Sequence, residues 1–413
     1  MNLSRRDLFV GCSAAIAAMA GARINGLTFV GEDAPSDHPI LVVVFLRGGI
    51  DGLNLLAPPG DKDYIAARPT HLRIAEDGEH KGLEMKGTDL RLHRLASPIK
   101  ELYDDGKLAM IHACGLTHGT RSHFEAMDLI ERGIARTEDM NLRTGWLARS
   151  MERLPDSSPI PALSLSGNMA ASLVGMPDAG LMSSVEGLHL WGGDEQVKGL
   201  KFLYGAGNSW LHKEGSRAIE TYDLVRARLG RKEDGSLPDY VPEHSAKYPD
   251  GELGNALRDL ARMIKAGVGI QVGTVDFGGW DTHQDQMYQF NYRLGHLSES
   301  LMAFYSDLTS FHSRLNVVVM SEFGRRLKSN QSNGTDHGHG NVMMVMGPKV
   351  VGSKVHGRWP GLATEQLDAR ADLAVTTDYR NVLAEVMERG MGISGANKLF
   401  PGLESKPVGV LKT

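Results

Sequence analysis

The chain reads as short, almost unbroken apolar runs separated by amphipathic stretches and polar loops. Ile40–Leu46 (ILVVVFL) is apolar and largely β-branched, the pattern of a strand buried on both faces of a sheet. Runs at 108–114, 162–165, 269–276, 316–321 and 341–346 predict further strands. Helical periodicity predicts helices at 97–105, 122–132, 253–266, 284–315 (one long or two) and 378–389, with a patch at 218–229. Strands alternating with helices predict a three-layer α/β/α sandwich with a largely parallel central sheet. Residues 168–250 fit this alternation poorly and are expected to be a cap or insertion over the core.

Carboxylates and imidazoles stand where the apolar runs stop. Asp51 follows the first run in a glycine-rich turn that begins at Arg47. Asp276, Asp281 and His283 follow the run ending at 275, Glu322 follows the run ending at 320, and Asp336, His337 and His339 precede the run at 341. In parallel sheets, functional groups gather outside the carboxyl ends of the strands. Oxygen and imidazole donors converging there fit a divalent metal, zinc first, with manganese, magnesium or calcium as alternatives. Each group also has an ordinary structural reading: a turn-forming Asp, a solvated loop, or a salt bridge of Glu322 with Arg325 and Arg326. Ser122 opens a predicted helix and reads equally as an N-cap or as a nucleophile, with Thr120 as its substitute. Arg121 and Arg47 are candidates to hold an anion.

The composition narrows the function classes. A net charge of −5 and a pI near 6.4, with no long Lys/Arg run, give no footprint for nucleic acid. Ser4-Arg5-Arg6-Asp7-Leu8-Phe9, an apolar stretch to Ala20 and Ala20-Gly21-Ala22 form a twin-arginine export pattern. Residues 1–22 are therefore expected to be cleaved, and 23–38 to form a polar linker. The apolar stretch is too short to cross a bilayer of about 30 Å, so no stable membrane insertion is expected. Removing the signal with Cys12 leaves only Cys114, so no intramolecular disulfide is expected at an oxidising destination.

Seven segments in this order, LVVVFLRGGIDGLN, THGTRSHFEAMD, GGWDTH, VVMSEFGRR, GTDHGHGNVMMVMG, GRWPGL and TTDYRNVLAEV, resemble the DUF1501 family of exported bacterial proteins. That family in turn resembles the alkaline phosphatase and sulfatase superfamily. The resemblance runs from about 38 to 392 and implies one alkaline phosphatase-like domain over 39–413, with one or two metals and a nucleophile at a helix start. It implies Asp51 as the first-strand metal aspartate, Ser122 as nucleophile, Asp281 and His283 as a metal pair, and His337 or His339 as the last histidine of that metal. Glu322-Phe323-Gly324 stands where the superfamily has Asp-His-Gly, so Phe323 replaces a ligand histidine. Asp336 and one loop histidine are then expected to refill the second site, or one metal alone binds.

The expected activity is an exported, periplasmic or secreted, metal-dependent hydrolase of phosphate or sulfate esters. Its substrate would be a small-molecule or glycan ester, and its carrier the twin-arginine export machinery. The alternative is a non-catalytic exported protein that binds an anionic glycan, a lipid or a protein on the same fold. A mutase or transferase that excludes water is a third, weaker possibility.

Overall fold

A computed structural model describes residues 37–154, 159–187, 193–232 and 236–413. The expected export signal and nearly all of the linker lie outside the described residues. Apart from a small sheet of three two-residue strands between 56 and 92, the strands are β1 (Ile40–Leu46), β2 (Leu108–Gly115), β3 (Ala162–Leu165), β4 (Ala179–Met182), β5 (Val272–Phe277), β6 (Leu315–Met320), β7 (Arg325–Ser329), β8 (Thr335–His337), β9 (Asn341–Met346), β10 (Val355–His356) and β11 (Thr377–Asp378). The central sheet runs β10-β2-β9-β6-β1-β5-β3-β4, with β11 also paired to β2. β1 lies parallel between β5 and β6, Val43 facing Thr274 on one side and Val318 on the other.

Alternation along β1 builds two cores. Val42, Val44 and Leu46 point to one face, where they meet helices α1 (Ser97–Asp104), α6 (Glu252–Lys265) and α7 (Gln286–Asp307). Leu41, Val43 and Phe45 point to the other, against α2 (His123–Arg132), α3 (Trp146–Met151) and α8 (Tyr379–Glu385). Each such side chain gains about 1.5–3 kcal/mol on full burial, so β1 is fixed by two cores at once. The result is the expected mixed α/β sandwich, with a mostly parallel sheet and helices on both sides.

Two details differ from the sequence reading. β9 is antiparallel to both β2 and β6. The chain between β6 and β9 forms the hairpin β7–β8 instead of a crossover helix, and so returns in the opposite direction. The stretch 168–250 is also not wholly a cap, since it supplies the edge strand β4. Beyond β4, helices α4 (Gly193–Gly205) and α5 (Trp210–Leu229) pack around their own cluster of Val197, Leu200, Tyr204, Ile219 and Tyr222.

Asp307, fully buried at the end of α7, ties the segment after α5 to the core. Its carboxylate accepts from Tyr240 (2.6 Å), Tyr248 (2.8 Å), the Glu243 amide (2.7 Å) and Lys265 Nζ (2.6 Å). Burial pushes this carboxyl up, but the lysine, the two hydroxyls and the amide outweigh it and hold it below the ordinary carboxylate range. A depressed folded value gives stability that is complete above the unfolded value of about 3.9 and lost as pH falls through the folded one. We therefore expect Asp307→Asn to lose about 3 kcal/mol at pH 7 and the gap to wild type to narrow below about pH 4. Urea unfolding at pH 7 and pH 3 checks this, and an equal gap at both would refute it.

Candidate metal centre

Three pieces of chain meet above the carboxyl ends of β1, β5 and β6. Asp281 and His283 lie on the loop that leaves β5, and His337 ends β8. His123 opens α2, which follows β2. The first loop reaches its place because the turn after β1 lets it pass close. Gly48 has φ +117°, and a Cβ there would lie 2.5 Å from the Asp281 amide nitrogen. The hairpin is seated as tightly, since a Cβ on Gly338 would lie 2.5 Å from the Arg325 backbone.

His123, Asp281 and His337 each offer one ligand atom, all mutually within 4.8 Å, a group able to hold a metal ion. His337 Nε2 is 3.0 Å from His123 Nε2 and 3.0 Å from Asp281 Oδ1. His123 Nε2 lies 3.3 Å from the same oxygen. His283 joins from the flank, its Nε2 at 2.9 Å from His337 Nε2 and 3.1 Å from Asp281 Oδ1.

The other ring nitrogens fix the tautomers. His123 Nδ1 faces Glu322 Oε1 (2.7 Å), His283 Nδ1 faces Asp336 Oδ1 (3.0 Å), and His337 Nδ1 faces the Arg121 carbonyl (2.8 Å). These partners are all acceptors, so each Nδ1 carries the hydrogen and each neutral ring turns its Nε2 lone pair inward. Three lone pairs and a carboxylate oxygen then converge with too few protons among them. Such a cluster is able to hold a cation, and imidazoles oriented by carboxylates or carbonyls through the far nitrogen are the usual support of metal ligands.

The electrostatics fit. Burial pushes Asp281 up, but the Arg325 guanidinium, through its hydrogen bond and its charge, and the imidazoles beside it hold it well below the usual carboxylate range. The hydrogen bond to Glu322 raises His123 against the effect of burial. Burial lowers His337, which favours the neutral, ligating ring. Phe323 occupies the place of the expected histidine and packs on the rings of His123 (4.7 Å) and His337 (4.9 Å).

The structure gathers only part of the expected ligand set. Glu322 is fully buried and supports His123, while also accepting from the Gly48 amide (2.8 Å) and Ser321 Oγ (3.0 Å). Asp336 orients His283 and accepts from Asn330 Nδ2 (3.1 Å). Asp276 pairs with Arg47 (2.8 Å), which also binds Glu131 (3.1 Å). His339 turns away to Asp368 and the Gly119 carbonyl (3.3 Å). Asp51 is the largest departure. Arg68 grips both its oxygens at 2.6 and 2.9 Å, Gln286 donates at 2.6 Å, and its side chain caps the helical turn Gly52–Leu55. No lone pair is left over for an ion, so this aspartate is structural. Sequence reasoning passed over His123, whose one signal was its place beside Ser122 at a helix start.

Ser122 is exposed at the N-terminus of α2, and its Oγ has no hydrogen-bond partner among the described residues. Thr120 Oγ1 donates to Glu125 (2.5 Å) and accepts from the Ser122 amide (3.1 Å). Arg121 is committed to the buried Asp372. Beside this loop lies a cavity of about 330 Å³, bounded by Thr117, His118, His339 and Asp368 with Leu116 and Val375.

Residues 231–400 match the model of a family described as "Protein of unknown function (DUF1501)". Asp281, His283, Glu322, Asp336 and His337 fall inside the match, and His123 falls outside it. No curated protein matches the chain. Among solved structures, the chain is similar to the C-terminal periplasmic domain of EcEptC from Escherichia coli, at 10% identity over 92% of each chain and a TM-score of 0.39. A complex of that domain with Zn matches at 8% identity, over 78% of this chain and 77% of that one, with a TM-score of 0.35. The PsFucS1 sulfatase from Pseudoalteromonas sp. matches at 9% identity, over 100% of this chain and 78% of that one, with a TM-score of 0.37.

The two aspartates should separate experimentally. Asp281→Asn is expected to abolish metal binding with a smaller loss of stability, because Asp281 is 46% exposed and Arg325 keeps its four carbonyl acceptors. Asp51→Asn is expected to lose about 3–5 kcal/mol by stranding Arg68, with metal retained in the folded fraction. Metal analysis beside urea unfolding distinguishes them; metal loss in folded Asp51→Asn would return that residue to the ligand set.

Proposed function

We propose that the chain is an exported metal-dependent hydrolase of phosphate or sulfate esters, with Ser122 as its nucleophile. What supports this reading is the convergence of His123, His337, His283 and Asp281 on one point beside a helix N-terminus that bears a free hydroxyl. Imidazole with carboxylate favours a single zinc ion, because the other expected ligands have partners of their own. When bound, the ion would supply Lewis acidity toward the ester oxygens and lower the basicity of a nearby oxygen nucleophile.

The protein's own residues would do the rest. The first-turn amides of α2 and its dipole favour an anion beside Ser122. Thr120 is held by Glu125, so it shapes the loop and leaves attack to Ser122. Glu322, Asp336 and the Arg121 carbonyl hold the three imidazoles in their ligating tautomer. The cavity beside His339 and Gly119 gives room for the alcohol part of a small-molecule or glycan ester. Export in folded form, with the metal acquired beforehand, completes the proposal. Among the described residues no helix is long and apolar enough to cross a membrane.

One observation favours a second reading. Arg121 and Arg47, the expected anion clamps, are both neutralised by carboxylates. A non-catalytic exported binding protein for an anionic glycan, lipid or protein would need no such clamp at the metal.

The readings part on three measurements. Purified protein is expected to contain zinc, which chelator or the double substitution Asp281→Ala and His337→Ala removes together with turnover of p-nitrophenyl phosphate or sulfate. Ser122→Ala is expected to keep the metal and lose at least about 100-fold in kcat. Metal-loaded protein that turns over no ester would favour the binder, and full turnover in Ser122→Ala would remove Ser122 as nucleophile.

A further inference from the structure

We propose that the tip of the helical hairpin α4–α5 is a docking surface that seats the protein peripherally on an anionic lipid bilayer. α4 closes with Phe202 and Leu203 in its last turn, and α5 opens with Trp210 and Leu211. Four large apolar side chains thus stand within the stretch 202–211. Phe202 is 83% exposed, Trp210 73%, and the two leucines 49% and 51%.

The hairpin's own packing leaves these side chains out. Val197, Leu200 and Tyr204 of α4 cluster with Ile219 and Tyr222 of α5. Phe202 is two positions from both Leu200 and Tyr204, which turns it to the opposite side of a helix of about 3.6 residues per turn. The arm joins the main core at its other end, where Val225 and Leu229 of α5 meet the cluster built on Val42 and Val44. At about 1.5 Å per residue, Trp210 lies about 22 Å along the helix from Val225, so the apolar residues sit at the distal end of the arm.

The charge around the tip selects what covers it. Residues 196–213 hold Lys198, Lys201 and Lys213 and no Asp or Glu, in a chain of net charge −5. The flanking acids Glu195 and Glu214 already pair with Lys198 and Arg217. Lys201 pairs with the exposed Asp223, and Lys213 forms no ion pair among the described residues. Exposed pairs of this kind are weak, so the lysines are free to turn to a denser anionic surface. Aromatic and leucine side chains set among lysines suit the headgroup layer, with rings toward the acyl chains and ammonium groups toward lipid phosphates. A second copy of the chain fits less well. The four side chains expose on the order of 500 Å², short of the roughly 800 Å² per partner of a standard protein interface, and pairing two tips would bring lysines onto lysines.

The test uses the full chain and stands apart from the hydrolase reading. Protein is sedimented with vesicles of phosphatidylcholine alone and with vesicles in which half of it is replaced by phosphatidylglycerol. Binding to the anionic vesicles is expected, weakening as salt is raised, with tryptophan emission quenched by brominated acyl chains. Phe202→Ser with Trp210→Ser is expected to weaken binding at least about tenfold and to remove the quenching. Its urea midpoint is expected to match wild type, because both side chains are exposed. Lys213→Glu is expected to lose about fivefold or more on the anionic vesicles and to change nothing on phosphatidylcholine. Asp281→Ala is expected to bind vesicles as wild type does, so failure of the hydrolase reading leaves this one standing. Wild type that ignores the anionic vesicles, equal binding to both compositions, or full binding by the Phe202→Ser, Trp210→Ser variant would each overturn the proposal. A dimer in sedimentation velocity that this variant dissolves would assign the surface to a second copy and overturn it as well.

Discussion

The whole face of the molecule above the sheet depends on one buried guanidinium. Arg325 is 1% exposed, at the start of β7. Its Nε donates to the Gly49 carbonyl (2.7 Å) and its Nη1 to the Thr335 carbonyl (2.8 Å). Its Nη2 reaches the carbonyls of Gly48 (2.6 Å) and Trp280 (3.1 Å) and Asp281 Oδ1 (2.5 Å). One rigid fork thus ties the turn after β1, the loop after β5 and the strand that carries His337. A lysine could supply the charge but not the planar set of donors. Each loop would otherwise bury carbonyls without partners, at about 1–3 kcal/mol apiece. The site's geometry is in this sense a by-product of satisfying Arg325.

That dependence explains what could be read from the sequence. The strands and helices were legible because their apolar periodicity is local: Ile40–Leu46 announces a doubly buried strand without reference to any partner. Asp281, His283 and His337 were legible as candidates because they end strands in glycine-rich loops. The roles of Asp51 and His339 were not legible. Whether a strand-end carboxylate binds metal or arginine depends on which arginine arrives from elsewhere in the fold, and Arg68 comes from an unremarkable loop. His123 was hidden for the related reason that its partners Glu322, Asp281 and His337 lie more than 150 residues away. Spacing along the chain carries no trace of such contacts.

Positive charge around the candidate metal centre is distributed in a way that bears on its chemistry. Around the candidate centre the permanent cations among the described residues are matched: Arg325 to Asp281, Arg121 to Asp372, and Arg47 to Asp276 and Glu131. With Glu322 and Asp336 as additional acceptors, the centre has more acidic groups than basic ones until an ion enters. A divalent ion would reverse the local sign and turn a region that repels anionic esters into one that attracts them.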